Sequence, residues 1–390
     1  MIINREESER AFLVAVDIKA NDVWPVKSSL DELEQLARSA GAEVVGRMVQ
    51  KLKAPLRTQY LGTGKLEELV NLKSEKQFNT VIFDDELTPL QQLTLEQALR
   101  VKVIDRAALI LDIFAKRAKT SEGQLQVELA QLEYLLPRIS GQWGNPDRMG
   151  GGIGTRGPGE SKLEVDRRGV EHHIQTIRKK LEEVRRHRAL YRVRRRRTGI
   201  PVVSLVGYTN AGKSTLMNAL TRADVLTRSQ LFSTLDPTTR RLRLPDGETV
   251  LLTDTVGFIQ KLPPAIIAAF RATLEELSEA DILIHVVDLT SHNAVEQCGT
   301  VENILDDLGV LNKPRLTTLN KIDLMLDRSQ AWDEEKAVNY LAGKAGGDDK
   351  NTILVSAIKG WGLTKLKERI AGILQEEKAG NAEAVQPTIT

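Results

Sequence analysis

The sequence predicts an α/β protein in three parts: a small α/β unit, a helical hairpin and a larger α/β domain. Three observations carry that expectation. Strand and helix patterns alternate through residues 1–105 and again through 198–375, the mark of crossover units on a sheet. Between them, residues 106–197 keep a helical period throughout. Finally, an apolar run at 201–206 enters a glycine-rich loop that opens straight into a helical pattern at 215–220.

In the first part, residues 11–16 read as a strand. Ser29, Leu30, Asp31 and Glu32 then have the form of a capping box opening a helix through Ala37. Residues 43–49 form a second strand, 64–76 a helix and 80–84 a third strand. Thr88 caps the next helix with Pro89 at its first position, where the missing N–H costs nothing. Residues 101–104 close the unit as a strand. The run Gly62, Thr63, Gly64, Lys65 mimics a phosphate loop, but it lacks the upstream glycine and a Ser or Thr after the lysine. It is expected to be a turn and helix start.

In the second part, Leu125, Leu129, Leu132 and Leu136 recur every three or four residues, and Pro137 marks the approach to a helix end. Ile174, Ile177, Leu181 and Val184 make a matching stripe, so an antiparallel helical hairpin is expected. The connecting stretch 141–160 is rich in glycine and carries Arg148 and Arg156. No hydrophobic strand leads into it, which excludes a dinucleotide fingerprint. A long loop of this kind in a compact unit is usually functional, and exposed glycines beside arginines suit an RNA-contacting tip. The second helix is strongly basic at Arg178, Lys179, Lys180, Arg185, Arg186, Arg188, Arg192 and Arg194 to Arg197, opposed by Glu182 and Glu183. Such density points to a polyanion, with RNA the better fit because no aromatic membrane-inserting face accompanies it.

The composition, 41% hydrophobic and 28% charged with net charge +2, suits a soluble protein with real cores. No apolar run approaches the roughly 20 residues of a membrane span, and the N-terminus lacks a signal-peptide core. A single cysteine, Cys298, leaves no internal disulfide and fits a cytoplasmic setting. The five histidines show no zinc spacing with it, and His285 lies in an apolar strand as a core residue.

The third part carries the chemistry. Gly207, Tyr208, Thr209, Asn210, Ala211, Gly212, Lys213, Ser214 and Thr215 read G-x-x-x-x-G-K-S-T between strand and helix. That geometry turns backbone N–H groups inward as an anion nest at a helix N-terminus. Lys213 would reach the β- and γ-phosphates and the Ser214 hydroxyl would ligate Mg²⁺. A polar segment with Phe232, Ser233, Thr234, Leu235 and Asp236 follows, then an antiparallel strand pair, 240–244 and 249–254. Asp254, Thr255, Val256 and Gly257 end that pair. The carboxylate is placed to hold Mg²⁺ through water and the Gly257 N–H to meet the γ-phosphate, so both segments are candidate switches. Asn320, Lys321, Ile322 and Asp323 read N-K-x-D. Asp323 can accept from both N1–H and the 2-amino group of guanine, a donor pair adenine lacks. Ser356, Ala357 and Ile358 offer backbone to guanine O6. The ordered set predicts a domain that binds GTP and GDP with Mg²⁺.

That set, together with residues 103–106, 114–129 and 151–160, resembles the HflX family within the Obg–HflX group of translation-factor-related P-loop GTPases, over about residues 10 to 375. The resemblance implies a GTPase that binds the ribosome at the subunit joint and separates stalled or stressed ribosomes. It implies that the glycine-rich tip probes large-subunit RNA near the peptidyl-transferase region. Thr234 becomes the second protein ligand of Mg²⁺; by spacing alone Thr238 and Thr239 remain rivals. Phe258 stands where Ras-like enzymes carry a water-positioning Gln. Slow intrinsic hydrolysis, stimulated by a partner, is therefore expected, with no catalytic base assigned. Ile358 replaces a common lysine, at little cost if the Ala357 N–H makes the base contact. A monomer is expected, with a disordered tail at 376–390. A large-subunit assembly checkpoint shares these features; a third reading, an RNA-remodelling NTPase, predicts strand displacement and tolerance of ATP, and N-K-I-D argues against strict ATP dependence.

Overall fold

The computed structural model describes residues 9–18, 24–141, 162–221, 231–232, 234–263, 266–267, 275–327, 329–345 and 349–384. The glycine-rich stretch 142–160 and Ser233 lie outside the described residues. The chain divides into two units, Met1–His187 with Lys261–Phe270, and Arg188–Gln260 with Arg271–Thr390.

The first unit is built on four parallel strands, β1 (Arg10–Ile18), β2 (Glu43–Leu52), β3 (Thr80–Phe83) and β4 (Lys102–Asp105), in the order β2-β1-β3-β4. Residues 11–16 of β1 are buried throughout, as expected of a strand covered on both faces. The connecting helices are α1 (Val26–Ala40), α2 (Thr63–Lys76) and α3 (Pro89–Leu99), followed by α4 (Arg106–Arg117). Thr88 caps α3 as expected: its hydroxyl accepts the Gln91 N–H at 3.2 Å and the Gln91 side-chain oxygen accepts the Thr88 N–H at 2.9 Å.

The capping box expected at Ser29 is corrected. The helix begins four residues earlier, after Pro25, and Ser29 and Glu32 face inward. The Ser29 hydroxyl donates to Asp84 at 2.6 Å, and the buried Arg106 guanidinium contacts Glu32 at 2.6 Å and Asp84 at 2.7 Å. A buried cation is tolerated only when paired and hydrogen-bonded, and this cluster satisfies Arg106 from two elements. α4 buries Ile110, Ile113 and Phe114 and packs against α1, α5, β3 and β4.

The hairpin consists of α5 (Ser121–Gly141) and α6 (Lys162–Thr198). Leu129, Ile174, Ile177 and Leu181 form its buried seam, flanked by Leu125, Leu132, Leu136 and Val170. The stripes are those expected from the period, with Val170 in place of Val184. Pro137 lies inside α5 and, as expected, near its end, which falls at Gly141.

The second unit holds β5 (Val202–Val206), α7 (Lys213–Thr221), β6 (Thr238–Arg243), β7 (Thr249–Asp254), β8 (Ile282–Asp288), α8 (Ala294–Asp307), β9 (Arg315–Asn320), α9 (Glu334–Ala345), β10 (Thr352–Leu354) and α10 (Leu363–Ala384). Its sheet order is β10-β9-β8-β5-β7-β6, parallel except for β6. On one side of β5 the chain steps outward through β8, β9 and β10, and on the other β7 lies beside β5 with β6 at the edge. Neighbours on opposite sides thus meet at β5, and a topological switch point lies at its C-terminal end, where ligands bind in open α/β sheets. The register places Leu205 beside Asp254 and Asp288 beside Asn320. The expected disordered tail is corrected in part. α10 continues to Ala384, with Ile373 and Leu374 buried and Lys378 paired to Glu248 at 2.7 Å.

Among the described residues no helix is long and apolar enough to cross a membrane.

Candidate guanine-nucleotide site

The C-terminal ends of β5, β7, β9 and β10 bring the four motifs to one edge of the second unit. The phosphate loop leaves β5 at Gly207 and enters α7 at Lys213. The buried Lys213 ammonium donates to the carbonyls of Gly207 (3.1 Å) and Tyr208 (2.9 Å). Burial pulls its pKa down to about 8, against the opposing pull of the Asp254 carboxylate.

Three oxygens converge beside it. The Ser214 and Thr234 hydroxyls are 2.7 Å apart, and they donate to Asp254 Oδ2 at 2.6 and 2.8 Å respectively. Asp254 is fully buried and its Oδ1 has no hydrogen-bond partner among the described residues. Burial raises its pKa, partly offset by Lys213 and the two hydroxyls. The rival threonines are placed elsewhere: Thr239 bonds the Thr253 hydroxyl at 3.0 Å, and Thr238 lies on β6 in register with Asp254.

The base-recognition motifs are tied to the phosphate loop by Asn320. Its Nδ2 donates to the Ala211 carbonyl at 2.9 Å, and its Oδ1 accepts the Ala357 N–H at 3.1 Å. Gly212 is required here twice over: its φ is +96°, and a Cβ would lie 2.3 Å from Asn320 Nδ2. The Ser356 hydroxyl donates to Asp323 Oδ1 at 2.6 Å, fixing one carboxylate oxygen. Since the Ala357 N–H is committed to Asn320, its expected role as the guanine O6 donor is not the one this geometry displays. Ile358 is 74% exposed.

Sequence reasoning missed one member of the site. Asp288, at the end of β8, accepts the Lys321 ammonium at 2.7 Å and the Thr290 hydroxyl at 2.6 Å. The available signal was an acidic residue closing the strand next to β9. Leu235 is buried and Asp236 half-buried; neither lines the cavity between the phosphate loop and Gly257. His285 is a buried core residue, as expected. Larger cavities, of about 610 Å³ beside α1 and about 400 Å³ beside α9, are lined by no residue of the four motifs. Convergent polar groups, rather than size, mark the site.

Three family descriptions match the chain in succession. They are a GTP-binding GTPase N-terminal region over residues 27–115, a GTP-binding GTPase middle region over 117–195, and a 50S ribosome-binding GTPase over 202–321. A GTPase HflX of Caldanaerobacter subterraneus is 55% identical over 82% of this chain and 74% of its own length. The GTPase HflX of Escherichia coli is 42% identical over 92% of this chain and 82% of its own. The chain belongs to the GTPase HflX family. A GTP-binding protein from Sulfolobus solfataricus, solved in complex with GDP, is 26% identical with a TM-score of 0.46, covering 94% of this chain and 99% of that one. The protein is a P-loop GTPase that binds and hydrolyses GTP.

Proposed function

We propose that this GTPase acts in the cytoplasm as a monomer, binds the ribosome through large-subunit RNA, and in its GTP form separates stalled or stressed ribosomes into subunits. Hydrolysis then releases it. The observation that carries the reading is the basic surface of α6. Lys179 and Lys180 are exposed, and the side chains of Arg178 and Arg186 are 63% and 77% exposed. They stand on a 37-residue helix, about 55 Å long at 1.5 Å per residue. A rod with that charge suits a phosphate backbone, and the family description matched by 202–321 names 50S ribosome binding. The glycine-rich stretch 141–160 supplies the tip of the hairpin in this reading.

Ser214 and Thr234 would hold Mg²⁺, with Asp254 behind them; the donor set fits, since the buried Asp254 Oδ1 has its acceptor capacity unused. When bound, the ion neutralises charge on the β- and γ-phosphates. Asp323, steadied by Ser356, selects guanine, and Asn320 holds the base loop to the phosphate loop. Phe258 offers no side-chain group to orient water, so turnover by the protein alone is slow and the ribosome accelerates it.

GTP turnover measured alone, with intact ribosomes and with each separated subunit tests this. Intact ribosomes and large subunits should each raise the rate at least about tenfold, a small part of what partner activation achieves in other GTPases. An unchanged rate with all three would overturn the ribosomal reading.

A further inference from the structure

We propose that Tyr208 and Thr209 form a clasp in which the side chains of the phosphate loop hold the two flanking switch segments shut, so that the clasp limits GTP loading. The phosphate cradle itself uses only backbone at these positions, which leaves the two side chains to be explained. The Tyr208 hydroxyl accepts the Gln260 N–H at 2.9 Å, and the Thr209 hydroxyl accepts the Phe232 N–H at 3.0 Å; both bonds are buried. Each ties the loop to one of the segments expected to respond to the γ-phosphate.

Between these ties lies a short backbone ladder. The Phe258 N–H donates to the Gly207 carbonyl at 3.1 Å, and the Thr209 N–H donates to the Phe258 carbonyl at 2.7 Å. The Thr209 amide, one of the donors an anion nest turns towards phosphate, is therefore taken up by the switch. Gly257 is drawn in so closely that a Cβ on it would lie 2.7 Å from Thr209 Cα and 3.0 Å from the Lys213 ammonium. The cavity left among Thr209, Lys213, Ser214, Thr234 and Gly257 measures about 40 Å³, against roughly 300 Å³ or more for a small-molecule pocket. Phe232 is held at a φ of +57°, a backbone setting that a bulky residue keeps only when its surroundings impose it.

A triphosphate reaching Lys213 must therefore lift the segment around Phe258 and break the Tyr208 tie. Where the binding-competent form is a minority, the apparent affinity is reduced by that fraction. Tyr208 is thus a positioning residue: it acts through the placement of Gly257 and Phe258. The inference stands whether or not the ribosome is the partner.

Tyr208→Phe in the full chain removes the hydroxyl and keeps the ring. Stopped-flow association of a fluorescent N-methylanthraniloyl GTP should then be about fivefold faster, as expected for one net hydrogen bond. A purely structural tyrosine would lower the melting temperature without raising that rate. An unchanged or slower association would overturn the proposal. If the variant does not fold, hydrogen exchange in the wild-type protein decides. The peptide containing Gln260 should exchange faster with a non-hydrolysable GTP analogue than without nucleotide, and slower or equal exchange contradicts the clasp.

Discussion

Asp323 receives a hydrogen bond from Ser356 on one oxygen, and its charge is what guanine's N1–H and 2-amino hydrogens require. Asp323→Asn presents a donor in place of an acceptor and should weaken GTP binding at least about 100-fold, since a buried polar group left unpaired discriminates strongly. Xanthosine triphosphate, with a carbonyl at C2, should bind the variant better than GTP does; equilibrium competition between the two reads this directly. The metal assignment is separable in the same way. Thr234→Ala should raise the Mg²⁺ concentration needed for GTP turnover, whereas Thr239→Ala, which removes a hydroxyl bonded to its strand neighbour Thr253, should not. His285 offers a test by pH. Burial, then the nearby Arg315 and Lys213 charges, lowers its pKa from 6.5 to about 4. The unfolded chain takes up the proton first, so this contribution to stability is present above pH 6.5 and is lost as pH falls towards 4. Urea unfolding should show about 2–3 kcal/mol less stability at pH 4.5 than at pH 7 from this group, and His285→Leu should flatten that slope.

At the scale of elements, the hairpin joins a core to a charged surface. Ile177 is 1% exposed in the seam between α5 and α6, so Ile177→Ala should destabilise the first unit by about 2–4 kcal/mol in denaturant unfolding. Charge reversal at Lys179, Lys180 and Arg186 touches only exposed positions. It should leave the circular dichroism unchanged while weakening ribosome binding and flattening its salt dependence. This seam was legible in the sequence because a 3.6-residue period is a local property of the chain. The cap at Thr88 was legible for the same reason, its partner Gln91 lying three residues away. Ser29 and Glu32 show the limit of such reasoning. A Ser and a Glu three apart serve equally as a capping box or as two inward polar groups, and the choice is made by Asp84 and Arg106, 55 and 77 residues away. The last turns of α10 were missed likewise, since Lys378 finds Glu248 130 residues earlier.

At the scale of the molecule, the nucleotide motifs were legible because strand–loop–helix spacing forces their geometry. Asp288 was not, because its importance depends on β8 lying beside β9 and on the Lys321 ammonium reaching across. The closed contact of Phe258 with the phosphate loop likewise depends on backbone pairing that no residue type announces. What joins the site to the basic hairpin functionally is the proposed splitting of ribosomes. Sedimentation of intact ribosomes mixed with the purified protein tests that claim most directly, with GDP in one sample and a non-hydrolysable GTP analogue in the other. The account predicts loss of the intact peak and gain of free subunits with the analogue, and an intact peak with GDP. Intact ribosomes surviving in both samples while the protein travels with free large subunits would contradict splitting and favour an assembly role instead.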